Sequence, residues 1–99
     1  MLSHIVVFWT DPALAGAADE LIAGATRPLK SMPGVLQFHV RKMVPSERPV
    51  VEQSYQVALN LIFPNQEAAQ AYQTHPQHVE FIEQYVKRLV GKLVVYDFE

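Results

Sequence analysis

The stretch SHIVVFWT, residues 3–10, is apolar on both of its alternating faces. Val6 and Phe8 fall in one phase, and Ile5, Val7 and Trp9 in the other. Its β-branched and aromatic content predicts a strand, and its two apolar phases predict a strand covered on both sides. The far end of the chain repeats the pattern. In KLVVYDF (92–98), Leu93 and Val95 alternate with Val94, Tyr96 and Phe98.

Between these two strands the spacing changes. Asp11 is a candidate helix cap with Pro12 at the first helical position. Leu14, Ala18, Leu21, Ile22, Ala25 and Leu29 then recur at helical intervals. Gly16, Gly24 and Pro28 weaken that helix, and an irregular last turn is expected before Pro33-Gly34. VLQFHVRKMV (35–44) alternates with Leu36, Phe38, Val40 and Val44 on one side and Gln37, His39 and Arg41 on the other. YQVALNLIF (55–63) follows a polar loop, and the two strands read as a long hairpin. PNQEAAQAY (64–72) predicts a short helix capped by Asn65. Residues 76–90 predict another, closed by Gly91 as a left-handed cap.

The order is β-α-β-β-α-β with the second helix broken in two, a ferredoxin-like α+β fold with a four-stranded antiparallel sheet. One domain over residues 1–99 is expected. Both helices cover one face of such a sheet, so one apolar set must face away from them. A second copy packed sheet to sheet would cover it, giving a homodimer built as a dimeric α/β barrel. The alternative is a monomer with a greasy surface.

Composition points the same way. Hydrophobic residues make up 49% of the 99 and charged residues only 18%, an imbalance for a domain that must hide its apolar surface alone. A net charge of −2 and the lack of any Lys/Arg run exclude a nucleic-acid surface. With no cysteine there is neither disulfide nor thiolate metal site. The start MLSHIVVFWTD reads as a strand, not a signal peptide, and no apolar run is long enough for a bilayer, so no membrane partner and a cytoplasmic protein are expected.

Two of the four histidines fall in YQTHPQHVEF (72–81). Pro76 pushes His75 out of the helix, although Thr74 and Gln77 also fit a capping box that starts it one residue earlier. His78 then lies in the first turn, in line with Phe81, Tyr85 and Leu89, and points toward the apolar interior. The positive end of the helix keeps a neutral imidazole there, which suits a general base, and Tyr72 can supply a hydroxyl. A packed, hydrogen-bonded helix start is the alternative. His4 shares a phase with Val6 and Phe8, and Asp97 shares one with Leu93 and Val95. Both would enter the same cavity, where Asp97 either orients a histidine or faces water at the strand end. Val6, Leu59 and Phe81 are expected to add its apolar lining. His75 and His78 are three residues apart with Pro76 between them and no third ligand fixed nearby, so no metal site is expected.

HIVVFWTD, PGVLQFHV, YQVAL, YQTHPQHVEF and KLVVYDFE together resemble the stress-responsive dimeric α/β-barrel (Dabb) family from end to end. The most specific piece is His75-Pro76-Gln77-His78-Val79 with the Val94-Val95-Tyr96-Asp97-Phe98-like strand behind it. The resemblance implies the dimeric barrel. A plant polyketide cyclase of similar fold closes a ring by aldol chemistry; its acid/base tyrosine and histidine match Tyr72 and His78, and two of its pocket positions match His4 and Asp97. Two departures stand out. Val57 replaces a histidine common in the family, and Thr26 and Arg27 stand where that cyclase has a pocket tyrosine.

Three functions follow from these readings. The first is a cofactor-free cyclase, lyase or isomerase acting on a small apolar or aromatic carbonyl compound through His78 and Tyr72. The second is a non-catalytic, ligand-binding or stress-protective dimer. The third, on fold analogy, is a cofactor-independent monooxygenase. No nucleotide-phosphate loop is present, and no cofactor is expected.

Overall fold

The computed structural model describes residues 1–99. The strands are β1 (Leu2–Thr10), β2 (Gln37–Lys42), β3 (Val57–Phe63) and β4 (Val90–Phe98). They form one sheet in the order β2-β3-β1-β4, every neighbouring pair antiparallel. Helix α1 (Ala17–Leu29) crosses between β1 and β2. Helices α2 (Gln66–Thr74) and α3 (Pro76–Phe81), a π-helical turn (Ile82–Val86) and α4 (Lys87–Leu89) connect β3 to β4. The ferredoxin-like order expected from the periodicity is the order observed.

The phase of β1 is resolved by packing. Leu2, His4, Val6 and Phe8 are buried, whereas Ser3, Ile5 and Val7 are only partly covered. Register carries that face across the sheet, because partners in an antiparallel ladder share a side. Val6 pairs with Leu59 and Val95, and His4 with Leu61 and Asp97. Leu21, Ala25 and Leu29 of α1 close the core from above, joined by Tyr72, Phe81, Val86 and Leu89. The opposite face carries Ile5, Val7, Ile62, Val94, Tyr96 and Phe98, with Tyr96 and Phe98 each 58% exposed. Asn60 sits among them, and its side-chain carbonyl is buried with no hydrogen-bond partner in the chain.

Four local expectations are corrected. Helix α1 starts at Ala17 and not at Pro12: Asp11 Oδ1 caps only a turn, accepting from the Ala13 amide at 2.9 Å, and Gly16 at φ 74° breaks the path before the helix begins. Leu14 is therefore outside the helix and exposed. Strand β2 is shorter than its apolar alternation, leaving Leu36 and Val44 exposed beyond its ends. Gly91 is no left-handed cap, since Val90 is already extended at φ −111°, ψ 126° and Gly91 belongs to β4. The carbonyl of Leu89 is satisfied from outside by the Asp11 amide at 2.8 Å, so the helix ends without a glycine turn. Pro28 is accommodated inside the last turn of α1, which runs on to Leu29.

Candidate functional site

His75 is where α2 ends and α3 begins. At φ −64°, ψ 136° its backbone is extended, as a residue before proline should be. Its ring Nδ1 accepts from the Gln77 amide at 3.1 Å and so caps α3. Thr74 donates back to the Ala71 carbonyl, so the capping box is not formed. Of the two histidines in this stretch, one is therefore a cap.

The other histidine is held differently. His78 Nδ1 lies 3.0 Å from the backbone carbonyl of Gln73. A carbonyl can only accept, so Nδ1 carries the proton and Nε2 is left with its lone pair. Burial lowers the pKa of His78 below the ordinary histidine value; the Gln73 bond opposes this and the neighbouring His4 adds to it. A neutral imidazole with a free Nε2 is the form a general base requires.

Tyr72 lies between the two histidines. Its ring centroid is 4.5 Å from that of His78, 6.0 Å from His4 and 5.1 Å from Phe63. Burial alone pushes the phenol well above its usual pKa, so it stays protonated. Its hydroxyl is not among the buried atoms that lack a partner, and no side chain bonds it, so the oxygen still reaches solvent-accessible space.

His4, 6% exposed, approaches Asp97 with Nδ1 2.5 Å from Oδ1. The two are register partners on adjacent strands, which explains why residues 93 positions apart meet. The carboxylate accepts, so Nδ1 donates; in the neutral ring Nε2 is then the acceptor. Of the two readings left open for Asp97, the structure takes both: it orients His4 while 55% of its own side chain stays exposed.

A cavity of about 340 Å³ opens beside this pair. His4 and Asp97 form one wall, Gln66, Gln70 and Gln73 of α2 the other, and Glu99 sits at the rim. Gln66 donates to Glu99 at 2.8 Å. The glutamines escaped a reading by residue type, although their i, i+4, i+7 spacing on one face of α2 was available in the sequence. Tyr72 and His78 stand behind this wall and do not line the cavity. Val6 and Leu59 lie in the packed core. Phe81 borders a second cavity of about 470 Å³ between α1 and α3, with Arg27 and Tyr85. The structure thus brings His4, Tyr72, His78 and Asp97 together, whereas Val6, Leu59 and Phe81, expected to line their cavity, are core residues that do not border it. No group of three or more His, Cys, Asp or Glu side chains is placed to hold a metal ion, and no helix is long and apolar enough to cross a membrane.

The family model described as the stress responsive A/B barrel domain matches residues 2–99. No curated protein matches the sequence. Among solved structures, an Arabidopsis thaliana protein is similar at 27% identity and a TM-score of 0.79, over 100% of this chain and 94% of that one. A dimeric ferredoxin-like protein of unknown function from Thermobifida fusca aligns at 15% identity and a TM-score of 0.80, covering 98% and 88% of the two chains. A hydroxynitrile lyase from Passiflora edulis aligns at 19% identity and a TM-score of 0.76, over 98% and 90%.

Proposed function

We propose that this chain, which belongs to the stress responsive A/B barrel domain family, works as a homodimer and performs cofactor-free acid/base chemistry on a small carbonyl compound. His78 is the base and Tyr72 the hydroxyl donor, while His4 and Asp97 orient the ligand. The observation that carries this reading is the hold of the Gln73 carbonyl on His78 Nδ1 at 3.0 Å. It presents a lone pair on a histidine whose burial keeps it neutral, beside a phenol that keeps its proton. A proton can leave a substrate carbon for Nε2 while the Tyr72 hydroxyl donates to the oxygen that gains charge. A hydroxynitrile lyase of the same fold adds support, since it places lyase chemistry on this architecture.

The dimer is supported by the uncovered face holding Ile5, Val7, Tyr96 and Phe98, by the unpartnered carbonyl of Asn60 on it, and by the dimeric relative. Packing two such faces through a two-fold axis makes the dimeric barrel.

The test is turnover of small aldehyde, ketone and cyanohydrin substrates by wild type, His78→Ala and Tyr72→Phe, with sedimentation to give the assembly state. Loss of turnover in both variants, with folding retained, is the expected result. Turnover that survives His78→Ala overturns the assignment of the base. A second reading, a ligand-binding dimer without catalysis, is favoured by the position of Tyr72 and His78 behind the cavity wall; ligand binding with no turnover of any carbonyl substrate would establish it.

A further inference from the structure

The charge and hydrogen-bonding character of the His4–Asp97 cavity selects its ligand. Two carboxylates, Asp97 and Glu99, border it, and no Lys or Arg does. An anion entering would meet negative charge with no cation to offset it. The other polar groups on the walls include exposed glutamines that a ligand can bond in place of water. Gln66 is tied to Glu99, but the side-chain amides of Gln70 and Gln73 make no hydrogen bond within the chain. Each offers both a carbonyl acceptor and an NH2 donor. His4, whose Nδ1–H is donated to Asp97, offers an acceptor at Nε2 when its ring is neutral. Gln70 and Gln73 lie three residues apart on α2, about 4.5 Å along the helix axis at 1.5 Å per residue.

We infer that this cavity takes a small, uncharged hydroxy-carbonyl molecule. Its hydroxyl donates to His4 Nε2, its carbonyl oxygen accepts from the amides of Gln70 and Gln73, and Asp97 and Glu99 exclude carboxylates. This deepens the acid/base reading above and rests on it for the claim that the bound molecule is a substrate. Gln73 also connects the two parts of the site. Its side chain borders the cavity while its backbone carbonyl holds the His78 ring.

The experiment compares two near-isosteric probes, neutral 2-hydroxyacetophenone and anionic mandelate, by titration at neutral pH. The readout is the side-chain amide resonances of the glutamines in 15N-labelled protein. The expected result is that the hydroxyketone shifts the Gln70 and Gln73 amides and binds at least about ten-fold more tightly than mandelate. Gln70→Leu and Gln73→Leu, both at exposed helical positions where leucine is a good helix former, should each raise its Kd about five-fold, the loss of one ordinary hydrogen bond. Glu99→Gln should narrow the preference by strengthening mandelate. Mandelate binding as tightly as the hydroxyketone, Kd values unmoved by the glutamine substitutions, or binding of neither probe at millimolar concentration overturns the inference. Failure of the acid/base reading looks different: the glutamine-dependent binding persists, but no carbonyl substrate is turned over through His78.

Discussion

Replacing Asp97 tests the element of the site that is most tightly built. His4 is buried at 6% exposure, and its Nδ1–H has one partner, the Asp97 carboxylate at 2.5 Å. Asp97→Asn preserves shape and an acceptor oxygen but removes the charge. Charge-assisted bonds are roughly twice as strong as neutral ones, so the cost is about 1 kcal/mol. Asp97→Ala removes the acceptor altogether and leaves the ring N–H open to the cavity, which costs about 1–3 kcal/mol. For a domain of this size each kcal/mol lowers Tm by roughly 4–8 °C. The alanine variant should therefore melt several degrees below the asparagine variant, and that one below wild type. Calorimetry supplies the Tm values. The 15N shifts of the His4 ring report which nitrogen holds the proton: Nδ1 in wild type and in Asp97→Asn, and a mixture in Asp97→Ala. If Asp97→Ala melts within about 1 °C of wild type and His4 keeps its tautomer, this bond neither holds the ring nor sets its proton, because even the low end of that penalty is visible on this scale.

Further outcomes follow from the same geometry. His78 has its pKa lowered by burial, so the unfolded chain takes up its proton first as pH falls. Its contribution to stability is full above the unfolded value of about 6.5 and is lost below it until the folded pKa is reached; His78→Gln should flatten that part of a pH-stability curve measured by urea unfolding. Turnover should likewise fall on the acid side with a midpoint below that of free histidine. Tyr72→Phe deletes a hydroxyl that no side chain holds, so stability should change by no more than about 0.5 kcal/mol while turnover drops about 100-fold, in a paired melting and rate measurement. Tyr96→Asp, on the uncovered face of the sheet, should shift sedimentation to the monomer; an unchanged dimer would place the interface elsewhere. Gly34→Ala should cost about 1–2 kcal/mol by denaturant melting, because Gly34 sits at φ 86° with the Ala68 methyl 3.3 Å from any added Cβ.

Much of this protein is legible in one dimension because period and residue type act locally. Alternation in SHIVVFWT and KLVVYDF identified two strands with two apolar faces each, and Asn65 was placed as the cap of α2, where its side chain does accept from the Ala68 amide at 2.9 Å. The rule that proline excludes the preceding residue from the helix put His75 outside α3. His78 was aimed inward by helical spacing alone.

What the chain could not announce were the choices made between distant residues. Which phase of β1 is buried depended on where α1 and α2 settle. The helix end at Leu89 depended on an amide from Asp11, because a carbonyl satisfied across the fold no longer needs a glycine turn behind it. The Nδ1 proton of His78 is held by a carbonyl five residues back, and that of His4 by a carboxylate 93 residues away. Sequence determined the elements and their faces, since propensity and periodicity are properties of neighbours. Tertiary structure alone decided the protonation pattern of the site and the three glutamines facing it, since hydrogen bonds across the fold exist only once the register of β1 with β4 and the seat of α2 are set.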